Sequence, residues 1–542
     1  MDLLRRRLPA ILGLLAFVVL APQYWAALRT PAIGIYHDDS IYLLTAKSLA
    51  TGNGYRIPST PGNIAQTKYP ILYPAVLSLV WRLAPDFPAN VHWLKSVSLL
   101  FVLGWLALSF ILLKRWLDDP LVAVSLVAVI AACPNVIFLA TSALSETQFA
   151  CILTGCLLLL FKAEIQPSPA LYLGAGLLAG GAYLTRSVGF VLILVPTLYL
   201  LGKRQWKHAF RYALPATLLA AGWLFWQVRN QHANLDPYLS ASNYYTGYNV
   251  VINYSLVEKL NIVSLNVLHL VTSPYQLFLR LLPQAPGLAF SATFLILGAC
   301  GFAHDRKRRI LGWALIGNVV VLMLWAWPPQ RFLVPWLTIV VAYVWLGVPV
   351  GARKYGLAFV WLIFACSTVS DMNHTLDARQ SGFWYPAPVG AKDWAAFEEM
   401  ARWARKNIEP EAVIQSNIDP TVYLFTGLKS VRGFSGNVAV GTYLGVKEPL
   451  GTPDQFRAGL IRANVRYLLV VKWSWFSECE YLERLQAELV RHYPGELQQI
   501  YAGPVPGFTV YRFSPGGIES KLRARDAREP VMPNLNLSTL KR

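Results

Sequence analysis

His37-Asp38-Asp39-Ser40-Ile41-Tyr42 sets two adjacent carboxylates just beyond the first apolar run of a chain that otherwise avoids acids. Residues 1–371 hold only twelve of the 29 Asp and Glu residues. A carboxylate beside hydrocarbon is costly, so the pair needs a reason. One reading makes it the start of a helix, with the acids at the positive end of the helix dipole. The other makes Asp38 a general base facing a substrate that arrives from the bilayer. In either case Tyr42 and Ala46 share one face of the helix that follows.

Four more groups could serve such chemistry. Lys68 stands in Lys68-Tyr69-Pro70-Ile71-Leu72-Tyr73-Pro74, a rigid aromatic entry into an amphipathic helix. Its ammonium either snorkels to lipid headgroups or holds a phosphate as a point charge. Ser145-Glu146 opens an apolar run, where Ser145 suits a cap and Glu146 is left at the edge of hydrocarbon. Arg186 and Arg331 are nearly the only charges in their short turns, and Arg331 lies between prolines and aromatics (Pro329-Gln330-Arg331-Phe332). Guanidinium there fits bidentate binding of phosphate. Asp38, Asp39 and Glu146 are also hard oxygen donors of the kind a divalent metal takes.

The elements that must position these groups are membrane helices. The chain has 542 residues, 55% hydrophobic, with a mean hydropathy of +0.41. Several apolar runs approach 20 residues, the length of a span. Expected spans are approximately 8–28, 91–113, 119–139, 146–162, 170–186, 188–202, 212–229, 286–303, 310–327, 332–350 and 355–371. Shorter apolar runs near 40–50 and 71–84 read as helices lying along the membrane surface. The net charge of +19 comes from basic clusters between spans, such as Lys203 to Arg211 and Arg306 to Arg309. With a cytoplasmic N-terminus every cluster falls inside, which is a topological signal and not a nucleic-acid footprint. Residues 29–90, 230–285 and everything past about 372 then lie outside. Six scattered cysteines, five of them in apolar runs, read as small buried side chains and not as a disulfide framework.

Beyond residue 371 the composition changes, with 17 of the 29 acids there. Helical periodicity at 394–407, strand-like runs at 412–414, 465–471, 498–500 and 508–513, and helices at 420–425 and 480–493 predict a small α/β domain over 372–514. Residues 515–542 read as a disordered basic tail.

Taken together, Asp38-Asp39-x-x-Tyr42, Lys68-Tyr69-Pro70-Ile71-Leu72-Tyr73-Pro74, Ser145-Glu146, Thr185-Arg186-x-x-Gly189 and Arg331-Phe332-Leu333-x-Pro335 resemble the GT-C class of polytopic glycosyltransferases. The likeness is to its protein-mannosyltransferase and lipid A aminoarabinose-transferase branch. The stretch Trp403 to Gly427, with Asp419-Pro420-x-x-Tyr423-x-x-Thr426-Gly427, is similar to the external domain of many bacterial members. The resemblance implies a membrane all-α bundle of about 11 spans (1–371) plus the external α/β domain. It implies an inverting transfer from a polyprenyl-phosphate sugar to a lipid, glycan or protein acceptor on the periplasmic face of a bacterial inner membrane.

In that picture Asp38 is the base, and Asp39 and Glu146 assist it. Lys68, Arg186 and Arg331 hold the donor phosphate, and Tyr42, Tyr69 and Tyr73 line the substrate. A divalent metal on the three acids is left open. The competing reading is a transporter or flippase. A transferase needs Asp38 and Glu146 to converge on one cavity, whereas a transporter needs polar groups at the midplane.

Overall fold

A computed structural model describes residues 2–230, 255–280, 282–305, 309–325, 328–381, 389–432, 452–473 and 477–516. The tyrosine-rich stretch 238–254, Trp384, Trp475 and the basic tail beyond 516 lie outside the described residues. The chain divides into two compact units. Of the described residues, the first comprises those up to 55, 67–230 and those from 255 to 391, and the second 56–66 and those from 392 to 516.

The first unit is helical. Six of its helices are long and apolar enough to cross a bilayer: Arg7–Arg29, Val91–Leu117, Glu146–Ile165, Gln284–His304, Gln330–Gly347 and Val350–Ala378. Pro120–Ala132 and Pro134–Ala140, bent by 69° between them, form either a broken span or a re-entrant pair. The bend has a local cause, because Cys133 precedes Pro134 and takes an extended conformation that a helix cannot contain. By length and composition alone the described residues therefore supply six spans, or up to seven, and the expected eleven are not confirmed. Ser187–Gly202 and Arg309–Met323 are apolar but short. Large apolar side chains stand exposed along the spans (Leu14, Phe17, Leu100, Ile296), a belt that only a lipid environment makes inexpensive. Cys300 and Cys366 are exposed on this unit as well, contrary to the expectation of burial.

Two helices depart from the sequence reading. Asp38–Ala50 does not rest on a surface, since nine of its thirteen residues are buried. Leu256–Phe278 crosses the interval expected to be a loop at 230–285. It opens on a capping box: Ser255 Oγ accepts from the Glu258 N–H at 3.3 Å, and Glu258 accepts from the Ser255 N–H at 2.7 Å. Its buried Asn266 donates to the carbonyls of Leu322, Met323 and Trp325 at 3.0, 3.1 and 2.6 Å. That one amide satisfies orphan carbonyls at the end of Arg309–Met323. The amphipathic Leu72–Leu83 keeps the expected form, burying Tyr73, Leu77 and Trp81 on one face while Leu83 stays exposed.

Small residues set the closest helix contacts. A Cβ at Gly301 would fall on the carbonyl oxygen of Tyr343, and one at Gly347 on that of Leu297. Lipid tails offer no hydrophobic drive for association, so backbone approach of this kind supplies the packing.

The second unit carries all seven strands among the described residues: β1 (Arg56–Ile57), β2 (Ile64–Ala65), β3 (Val413–Ser416), β4 (Ser430–Val431), β5 (Val465–Val471), β6 (Leu497–Ala502) and β7 (Phe508–Phe513). β1 and β2 form a hairpin that the chain contributes from between Tyr55 and Thr67. Ser430 N–H donates to the Ser59 carbonyl at 2.8 Å, and Lys429 Nζ to the Pro58 carbonyl at 2.5 Å, so the hairpin is built onto the start of β4.

The main sheet runs β4-β3-β5-β7-β6, parallel from β4 to β5 and antiparallel beyond. Helices Ala391–Asn407, Asp419–Thr426, Pro453–Arg462 and Ser477–His492 complete the α/β layering. One apolar core gathers Val413, Phe456, Leu468 and Leu489. Another stacks Trp394 on Trp473 with Phe397 and Phe425 against them. The helix Pro453–Arg462 was not expected from the sequence.

The glycine contacts are testable. Gly301→Leu and Gly347→Leu should each lower the thermal unfolding midpoint in detergent, since forced overpacking costs about 1–3 kcal/mol. Gly222→Ala, where added bulk meets nothing within 4 Å, should hold or gain up to about 1 kcal/mol of helix propensity. Equal melting of all three variants would refute the close-packing account.

Candidate active site

The two neighbouring acids do different work, and the backbone at His37 is what separates them. His37 is the N-cap of Asp38–Ala50, with φ 60° and ψ −49°. A non-glycine residue there is strained, typically by about 1–3 kcal/mol. Beyond it the Asp39 carboxylate turns back into the chain. Its Oδ2 accepts from Gly34 and Ile35 N–H at 2.8 and 3.0 Å, and its Oδ1 from Tyr36 and Ser40 N–H, both at 2.9 Å. Asp39 is 2% exposed. Burial pushes its carboxyl up to about 6, against the pull of those four backbone donors. Its oxygens are engaged in folding the loop 34–40. Lys95, equally buried, donates to the Thr30 carbonyl at 2.5 Å and lines the same small cavity as Asp39.

Asp38 instead joins a cluster of charges. Its Oδ1 accepts from the Tyr69 hydroxyl at 2.5 Å, and its Oδ2 from Arg331 Nη2 at 3.2 Å. The same Arg331 donates through Nε to Glu146 Oε1. Arg186 Nη1 reaches that oxygen at 2.9 Å and donates to Ser145 Oγ at 2.9 Å. Ser145 is expected to cap its helix, yet makes no side-chain capping bond. Its hydroxyl instead lies between Arg186 and the Tyr42 hydroxyl, 2.9 Å away. Phe332 completes the wall, its ring 5.2 and 5.8 Å from the two guanidinium carbons.

Each contributor sits at an element's end. Asp38 and Glu146 are first residues of helices, Arg186 follows Pro169–Thr185, and Arg331 is second in Gln330–Leu333. Glu146 is 1% exposed, whereas Asp38 and Arg331 keep about a quarter of their side-chain surface open. A buried acid with two guanidinium partners and a more accessible one beside it suits an anion-binding site with a base at its mouth.

Lys68 is half-buried, with Nζ 5.2 Å from the centroid of the Tyr69 ring whose hydroxyl holds Asp38. Tyr42 packs edge-on to both Tyr69 and Tyr73 at 5.2 and 5.3 Å. Tyr73 is fully buried and pairs with Ser98 Oγ at 2.8 Å, which makes it a support for the other two rings. Ser145, Lys95 and Phe332 were given no role in a site from sequence. Ser145 and Phe332 carried a local signal, each adjoining a charged residue of a quoted motif, and Lys95 carried none.

The carboxylates do not gather as metal ligands. Asp39 is saturated by N–H donors, and Asp38 and Glu146 face arginine. Among the described residues no group of three or more His, Cys, Asp or Glu side chains is placed to hold an ion.

Two variants separate the adjacent acids. Asp39→Asn turns an amide N–H₂ against two backbone N–H groups, and each bond lost in burial costs about 1–3 kcal/mol. It should melt well below wild type, while Asp38→Asn, which keeps an acceptor for Tyr69, should melt near it. The reverse order would overturn the division of roles. Arg331→Ala removes one of the two guanidinium partners of buried Glu146 and the ion pair of Asp38, and should lower the thermal unfolding midpoint in detergent.

No protein-family model and no curated protein sequence matches the chain. Solved structures do resemble it. The apo form of ArnT from Cupriavidus metallidurans superposes with a TM-score of 0.56 at 13% identity, over 92% of this chain and 97% of that one. The same protein bound to undecaprenyl phosphate gives 0.55 at 13% identity, over 93% and 97%. A weaker likeness, TM-score 0.47 at 13% identity over 84% and 69%, is to the oligosaccharyltransferase AglB from Archaeoglobus fulgidus with a peptide and dolichol phosphate. At 13% identity the likeness is one of fold: the chain shares the overall fold of ArnT.

Proposed function

We propose that the protein is an integral-membrane glycosyltransferase that moves a sugar from a polyprenyl-phosphate carrier to an acceptor at the periplasmic face of a bacterial inner membrane. The observation that carries this reading is the convergence of Asp38, Glu146, Arg186 and Arg331, from four separate segments, into one cluster at helix ends. A transporter would call for such groups at the midplane. The fold adds support, because the ArnT that shares it binds undecaprenyl phosphate. A polyprenyl phosphate is what remains of such a donor once its sugar has left.

The chemistry follows from the groups present. An acceptor hydroxyl or amine attacks the anomeric carbon as the bond from that carbon to the phosphate oxygen breaks. The proton goes to Asp38, the carboxylate at the accessible edge of the cluster. Direct displacement inverts the anomeric centre. The charge that grows on the departing phosphate is met by Arg331, Arg186 and Lys68. Arg331 has five N–H donors and spends two on carboxylates. Glu146, whose Oε2 has no hydrogen-bond partner among the described residues, keeps an acceptor for a donor hydroxyl. Hexosyl and pentosyl donors both fit these roles, as do lipid, glycan and protein acceptors. The basic clusters between the expected spans support a cytoplasmic N-terminus and an external charge cluster.

The test uses purified protein and radiolabelled polyprenyl-phosphate hexoses, pentoses and aminopentoses. Wild type should bind and slowly hydrolyse one of them. Asp38→Asn should bind it with turnover reduced about 10²–10⁴-fold, the usual contribution of a general base. Failure of every donor to bind would move the protein to the transporter class.

A further inference from the structure

The tryptophans of the 392–516 unit fall into two kinds. Trp394 and Trp473 are 2% and 1% exposed and make the aromatic core. Trp403 does not join them. It lines an open groove with Glu399, Arg402, Lys406, Asn407 and Tyr501. The five helical residues repeat at three- and four-residue spacing, so they form one stripe along the last turns of Ala391–Asn407. The stripe is about 12 Å long at 1.5 Å per residue.

The opposite wall is β6, an edge strand of the sheet. Its pairing with β7 slips between Gln499 and Tyr501, and an irregularity of this kind re-aims a side chain. The Tyr501 ring meets the indole of Trp403 with centroids 4.9 Å apart and planes tilted by 33°. Its hydroxyl is hidden from solvent and has no hydrogen-bond partner among the described residues. Arg402 Nε is tied to the Glu398 carbonyl at 3.3 Å, and Asn407 Nδ2 to the Trp403 carbonyl at 2.8 Å.

We propose that this groove binds a saccharide chain carrying anionic groups, as part of the acceptor. The inference rests on the glycosyltransferase reading for the word acceptor, but not for the binding itself. Flat aromatic surface takes the C–H face of a pyranose, and the surrounding amide and carboxylate exchange hydrogen bonds with its hydroxyls. Arg402 and Lys406 outnumber Glu399, so the groove carries a net positive charge and favours carboxylated or phosphorylated sugars.

Full-length protein in detergent is titrated with trigalacturonate and, separately, with the neutral galactotriose, and binding is followed calorimetrically. Saturable binding of trigalacturonate is expected, with Kd about tenfold or more weaker in Trp403→Ala and in the double variant Arg402→Ala/Lys406→Ala, as for loss of one anchoring side chain. Trp403→Phe should retain most of the affinity, which separates loss of the platform from loss of the fold.

Equal binding of the neutral trisaccharide, no saturable binding, or binding indifferent to Trp403→Ala would each overturn the proposal. Donor hydrolysis, run on the same samples, distinguishes the two readings. Hydrolysis without saccharide binding removes only the groove, and saccharide binding without any donor bound removes only the transferase.

Discussion

A carboxylate at the margin of a bilayer is tolerable only if something compensates its charge, and Arg331 does this for two acids at once. It reaches Asp38 across 293 residues of sequence and Glu146 across 185. Arg186 adds a second guanidinium to Glu146 from the end of a third helix. With Glu146 almost wholly buried, loss of either arginine would leave its charge with a single guanidinium partner in low dielectric. The helix ends must therefore come to one place. The rest of the bundle, including the glycine contacts that bring Gln284–His304 against Leu337–Gly347, can be understood as what holds them there.

The adjacent acids show how one backbone conformation assigns different tasks to like residues. Past the positive φ of His37, Asp39 folds into its own loop and four amides consume its charge. Asp38, one residue earlier, keeps about a quarter of its surface and two polar partners from distant segments. Protonating Asp39 would weaken its bonds to four N–H groups in a buried space, so its charge is tied to the order of the loop. Asp38 has no such obligation, and in the proposed reaction it is the group that can take a proton.

Much of the architecture was legible from local pattern. The apolar runs were long helices, the strand-like runs of the C-terminal part became β3 and β5 to β7, and the charged groups with an expected role in chemistry were found at helix ends. The two overlooked helices, Leu256–Phe278 and Pro453–Arg462, carried a sequence signal all the same. Each opens on a capping box, Ser255 with Glu258 and Thr452 with Gln455. Interior polar residues obscured the first: Asn266 reads as a loop residue until Arg309–Met323 is present to use its amide. The expected eleven spans are not confirmed for a related reason: hydropathy reports apolar length, but a proline bends one run at Pro134 and others give shorter helices, so apolar stretches and long single helices are not the same set.

Residue type and spacing alone determined that this chain has membrane helices, a separate α/β part, and a few charges that demand compensation. These are properties of short windows, set by transfer free energy and backbone periodicity. Tertiary structure decided which charge meets which, that Ser145 bridges Arg186 and Tyr42 instead of capping, and that Tyr73 supports while Tyr69 holds Asp38. It also decided that Trp403 is left on a groove while Trp394 is sealed in a core. Pairing of this kind depends on direction and distance between segments hundreds of residues apart, and no local window carries that information.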